Sequence, residues 1–258
     1  MYFNDIHILV YVLIGVIGLI IGKFLAWCNL RMPEKKKIFS KEYFEENKKG
    51  IDLSYVYMII TSVIYIALFY KFGIKNTFLK NLDLIKYLIL FPMLELTFFI
   101  DLKHRIIPNR LTMTMFEVGI LSVFVYGLAN INILKDMLFG MVVGGGIFFT
   151  ITLLGGLVAG REAMGLGDVK FMGALGLYLG TSMITEVSFL AFLLAAVISI
   201  GIIIVRKITK NEDDEIPFGP FLSLAAMMCI FLPHNIVFTS FSAFCRWLSM
   251  MIITIVIG

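Results

Sequence analysis

The chain has 258 residues, 60% of them apolar and only 16% charged, with a net charge of +4. Soluble domains sit nearer half apolar and a quarter charged, so these proportions exclude an ordinary soluble domain. The basic residues fall between apolar runs and make no continuous stripe, which excludes a nucleic-acid-binding surface.

The apolar excess comes in repeated blocks of about 15–23 residues, close to the roughly 20 that cross a bilayer as helix. The expected fold is therefore all-α, a polytopic transmembrane bundle of about eight helices with room for a ninth. The first span runs from about His7 to Trp27. It lacks a preceding basic region and a clear small-residue cleavage site, so it reads as a retained helix and not a removed signal. Residues 1–30 form this first helix, 31–52 a mixed-charge loop module, and 53–258 the rest of the bundle. Further spans are expected at about 53–70, 87–100, 111–128, 137–158, 171–179, 187–205 and 217–232. Ile236 to Ile257 forms either a ninth span or an interfacial segment broken by Arg246.

Charge orients these spans, because cytoplasmic loops of membrane proteins are rich in Lys and Arg. If the 31–50 loop is cytoplasmic, so are 101–110, 160–170 and 206–216. Together these hold 15 of the 22 basic residues, against five in the opposite connectors. The amino terminus is then outside, and Asp101 and Asp168 share the cytoplasmic edge.

Those two aspartates are the candidate chemistry. A charge near hydrocarbon costs several kcal/mol unless hydrated or paired, which makes such residues functional candidates. Asp168 stands in Gly165-Leu166-Gly167-Asp168-Val169-Lys170, and Asp101 closes an apolar run ahead of Pro108 and Asn109. Two carboxylates a few ångström apart in low dielectric cannot both ionise. One could then act as general base on water while its protonated partner donates to a substrate carbonyl. Gly165 and Gly167 would leave room for a substrate backbone and permit unusual turns. Pro108 would stop or redirect the Asp101 helix. Lys170 would either steady the charge at Asp168 or mark the membrane surface. A carboxylate neutralised by a nearby Lys or Arg would account for either aspartate alone.

Plainer readings hold elsewhere. Glu95 and Glu117 read as protonated carboxyls bonded to a neighbouring helix, Glu162 as a solvated loop acid, and His104 as a surface cation. Cys28, Cys229 and Cys245 read as small buried hydrophobes, because no C-x-x-C pair offers a metal site. Gly140, Gly144, Gly145, Gly146, Gly173, Gly176 and Gly180 read as helix-packing positions, where small residues let backbones approach.

Four segments then occur in a familiar order: GKFLAWCNLRMP at 22–33, DLKHRIIPNRLT at 101–112, REAMGLGDVKFMGALGLYLG at 161–180 and PFGPFL at 217–222. In this the chain resembles the type IV prepilin peptidases, membrane aspartyl proteases of the G-x-G-D kind. The resemblance implies that Asp101 and Asp168 are catalytic and that Gly165 and Gly167 belong to the site. It also implies cleavage after a glycine, at the cytoplasmic face of a bacterial membrane. The substrate would be the basic leader of a prepilin or pilin-like secretion subunit, whose own helix lies in the bilayer.

Many members also methylate the new amino terminus with S-adenosylmethionine, an activity tied to the first loop. Gly22, Phe24, Leu25, Arg31 and Pro33 match the first segment of the family, whereas Lys23 and Ala26 replace its usual serine and asparagine. The loop is short and lacks paired C-x-x-C motifs, so zinc is not expected, and proteolysis needs no cofactor. The alternative is a proton-coupled transporter. It predicts carboxylates near the midplane and paired halves in the sequence.

Overall fold

In lipid every backbone polar group must be satisfied internally, and helices do this within one segment. The structure, a computed structural model, describes residues 2–3, 6–34, 52–75, 77–159, 164–209 and 217–233. Seven helices carry these residues: α1 Ile8–Arg31, α2 Asp52–Phe72, α3 Phe78–His104, α4 Asn109–Ala129, α5 Ile131–Ala159, α6 Leu166–Thr209 and α7 Gly219–Phe231. Two two-residue strands, Tyr2–Phe3 and Ile6–His7, pair antiparallel ahead of α1. Five helices, α1, α2, α4, α5 and α6, are long and apolar enough to cross a membrane.

The longest helix is two helices. Gly180 takes φ 74° and ψ 179°, which breaks α6 into two legs. A Cβ on Gly144 of α5 would meet Met172 O at 2.6 Å and Ile184 Cγ1 at 2.8 Å, so 172 and 184 lie at one level. Further along, Phe148 stacks on Phe192 with centroids 5.4 Å apart. The second leg therefore runs back beside the first, and Gly180 makes the reversal. A positive φ suits glycine, which has no Cβ to clash there.

Glycine also sets the tightest helix contacts. Gly18 and Gly22 of α1 lie against the α2 backbone, where added Cβ atoms would stand 2.6 Å from Ser62 Cα and 2.5 Å from Met58 Cα. Gly140 of α5 and Gly176 of α6 press on each other's backbone in the same way. Gly146, expected to pack likewise, has nothing within 4 Å of its Cβ position. Tyrosine hydroxyls tie further pairs: Tyr65 donates to Leu88 O at 2.7 Å and Tyr178 to Met115 O at 2.9 Å. The main core gathers Phe91, Leu94, Met115, Phe148, Phe171, Tyr178 and Leu222. A smaller one joins α1, α2, α3 and α4 through Leu25, Cys28, Tyr57, Leu96, Ile100 and Leu111.

Several boundaries differ from expectation. The third helix begins at Phe78, nine residues before the apolar run, because Leu79, Leu82 and Leu84 give the connector a buried helical face. That helix does not stop at Pro108. It ends at His104, where Arg105 caps it in the left-handed region at φ 57°, and Pro108 is instead the N-cap of α4. Glu117 lies exposed on α4 and bonds to no neighbouring helix among the described residues, contrary to the paired carboxyl expected there. Cys28 and Cys229 are free and buried. Most of the loop module, the 236–257 segment, Glu162, Arg246 and Cys245 lie outside the described residues.

Candidate active site

Asp101 sits in the last turn of α3, one residue beyond the apolar run, and is 5% exposed. Its Oδ2 accepts a hydrogen bond from the backbone N–H of Gly219 at 2.8 Å. That approach requires glycine, since a Cβ at 219 would stand 2.7 Å from Oδ2 and 3.0 Å from Cγ. Burial pushes the Asp101 carboxyl above the usual aspartate range, and the Gly219 N–H pulls it the other way.

Asp168 stands in the first turn of α6, where the helix dipole favours an acid, and its N–H donates to Gly165 O at 3.1 Å. It shares with Asp101 a cavity of about 800 Å³, lined also by Arg105, Ile106, Ile107, Asn109, Met164, Gly165, Leu166, Gly167, Lys170, Pro217 and Phe218. Both aspartates therefore line one cavity. Three chain segments far apart in sequence thus meet at one end of the bundle.

The residues expected around the pair divide into two groups. Gly165, Gly167, Asn109 and Lys170 all line the cavity. Neither glycine has a positive φ, so the missing side chains leave space beside Asp168 and no special turn depends on them. A Cβ on Gly165 would be 3.8 Å from Asp168 Oδ2. The Lys170 ammonium bonds Asn109 Oδ1 at 3.2 Å, which ties the start of α6 to the start of α4. Pro108 is buried beside the site without lining it, and its carbonyl receives the N–H groups of Leu111 and Thr112.

The first segment is elsewhere. Gly22 and Leu25 are taken up by helix packing, and Arg31 lies 4.3 Å over the Trp27 ring. Phe24 packs at the edge of the smaller core, and Pro33 is partly buried. None of the five lines the cavity.

Gly219 is the contact that sequence reading missed. PFGPFL marked its neighbourhood, but nothing in that string says that its N–H meets an aspartate 118 residues earlier.

Comparison with known proteins gives the family. Residues 88–200, which include both aspartates, match the type IV leader peptidase family model. The chain is 32% identical over 146 residues to leader peptidase HopD of Escherichia coli, covering 55% of this chain and 90% of that one. The chain belongs to the type IV leader peptidase family. It is also 31% identical over 132 residues to the prepilin leader peptidase/N-methyltransferase of Aeromonas hydrophila, covering 51% of this chain and 44% of that one. The prepilin leader peptidase/N-methyltransferase of Pseudomonas aeruginosa is 31% identical over 131 residues, covering 51% of this chain and 43% of that one. The chain thus spans less than half the length of these two family members. No solved structure matches it. The segment matched by the family model contains the cavity-lining parts of α3, α4 and α6 but neither the first segment nor Gly219.

Proposed function

We propose that this protein is a membrane aspartyl endopeptidase that removes the basic leader from prepilins or pilin-like secretion proteins. The observation that carries the reading is the pair of carboxyls, Asp101 and Asp168, on one cavity at the same end of the bundle. In a buried pair of this kind one carboxyl keeps a proton. The ionised member takes a proton from water as the water oxygen attacks the scissile carbonyl carbon. The protonated member donates to the carbonyl oxygen, giving a neutral gem-diol. Its collapse breaks the C–N bond, with the proton passed to the leaving amine. Arg105 and Lys170 line the same cavity.

The family membership supports the substrate class, and the Lys and Arg distribution supports a bacterial cytoplasmic membrane with the site facing the cytoplasm. On that reading the chain crosses about eight times from an external amino terminus. The 31–52 segment is then a cytoplasmic module after the first helix, with 53–258 forming the peptidase bundle. The substrate helix would lie in the lipid beside the enzyme and help keep bulk water from the scissile bond.

N-methylation of the new terminus with S-adenosylmethionine is suggested by the names of some relatives, whereas HopD, of which 90% is covered, is named as a leader peptidase alone. No step is assigned to that cofactor. The transporter alternative lacks support, since the paired carboxyls lie at helix ends and the chain matches a peptidase family. Incubation of the purified chain with a prepilin-like precursor tests the proposal. Mass measurement should give a product beginning after a glycine, and a methylated terminus would appear as a further mass increment. A precursor that stays full length contradicts the proposal.

A further inference from the structure

The two aspartates are held in unlike ways. Asp101 receives the Gly219 N–H at 2.8 Å, in a buried setting. Gly219 opens the 13-residue helix α7, whose first N–H groups have no partner within the helix. Its successor Pro220 has no N–H, and the N–H groups of Phe221 and Leu222 turn back to Phe218 O at 3.0 and 3.2 Å. The Gly219 amide is therefore the first-turn donor that α7 aims outward, and it is aimed at Asp101. At the far end, Lys71 Nζ binds Ile230 O at 2.6 Å and Phe231 O at 2.9 Å, which fixes α7 lengthwise. Asp168 has no such support, as no donor among the described residues reaches its carboxyl.

Resting on the aspartyl-protease reading, we propose that α7 keeps Asp101 the ionised member of the pair, with Gly219 as its positioning residue. Asp101 then takes the proton of the attacking water, and Asp168 holds the proton donated to the substrate carbonyl. A hydrogen bond to a carboxylate favours its charged form, and that bond is what separates the two, since each carboxyl lies at the positive end of a helix. The charged groups around Asp101 leave the asymmetry in place. Asp168 and Lys170 face it from α6 and Arg105 from its own helix end. Arg31 of α1 is stacked on Trp27, Arg110 of α4 is exposed, and Lys71 of α2 is engaged at the opposite end of α7. Helix α7 itself carries no charged side chain.

The test replaces the 218–219 amide by an ester, with glycolate at 219, in the full chain. This removes the N–H without adding a Cβ. Gly219→Ala serves as a second variant, which both displaces the carboxyl and loses the bond. The readout is the pH profile of kcat for precursor cleavage. The acid limb, where the base becomes protonated, should move upward by about one pH unit in the ester variant, as expected for loss of one hydrogen bond to a charge. The alkaline limb, where the acid loses its proton, should stay in place. Movement of the alkaline limb alone, or of neither limb, overturns the assignment. Asp101→Asn and Asp168→Asn run alongside. Wild-type cleavage by either would contradict the proteolytic reading itself, a failure separate from a wrong assignment of roles.

Discussion

Asp136 on α5 accepts the backbone N–H of Thr181 at 3.2 Å and the Thr181 hydroxyl as well. Thr181 is the first residue after the Gly180 reversal, so Asp136 caps the second leg of α6 from a different helix. Loss of an N-cap costs about 1 kcal/mol. Asp136→Ala should lower thermal stability by about that amount, while Asp136→Asn should keep most of it. Gly180→Ala should do more harm, combining a φ of 74° with a Cβ driven into the Asp136 carboxyl. Both changes lie about 18 Å along the first leg from Asp168, so kcat of the folded fraction should be unchanged.

The Thr61 hydroxyl lies 2.7 Å from both Tyr57 O and Glu95 Oε2. It has a single hydrogen, and Tyr57 O can only accept. With the Thr61 hydrogen on Tyr57 O, a neutral Glu95 carboxyl would complete the pair by donating to the hydroxyl. Glu95→Gln keeps a donor and should preserve both stability and cleavage across pH. Glu95→Leu should cost about 1 kcal/mol, the range of interhelical hydrogen bonds in membranes. Infrared spectra should show a protonated carboxyl band that disappears in Glu95→Gln.

Lys71 closes the end of α7 opposite Gly219. A cation at a helix C-terminus contributes about 0.3–1 kcal/mol. Lys71→Met should lower stability within that range and reduce kcat several-fold with little change in KM, because α7 carries the donor to Asp101. Lys71→Arg should restore both, as read from unfolding curves and precursor-cleavage kinetics.

The pH dependence follows from the shared proton. At low pH both carboxyls are protonated and no base remains; at high pH both are ionised and no acid remains. Cleavage should therefore follow a bell-shaped profile. Burial raises the Asp101 carboxyl, which places the acid limb above the free aspartate value of about 3.9. Rates measured across buffers at fixed ionic strength check this, and a flat profile through the acid range would count against a carboxylate base.

The helical class and the meeting of Asp101 with Asp168 at one cavity were legible in the sequence, because apolar run length and loop charge are strong one-dimensional signals. Gly140, Gly144 and Gly176 were legible as packing positions, whereas the reversal at Gly180 was not. Other features were not. The left-handed cap at Arg105 depends on how α3 meets the following turn, and Pro108 drew attention away from it. Glu186, 2% exposed within α6, falls in the stretch between the expected spans 171–179 and 187–205, which the structure makes helical. The Gly219–Asp101 bond joins two segments whose contact is set by tertiary packing of α7, and no local pattern encodes such a pairing.

The most direct measurement is cleavage of a purified prepilin-like precursor by the wild-type chain, Asp101→Asn and Asp168→Asn in bilayers, followed by intact mass. The account predicts complete removal of the leader by the wild type. Each single variant should lose at least 100-fold in kcat, with thermal stability unchanged or raised, since each removes a buried acid. Leader removal at a wild-type rate by either folded variant would contradict it.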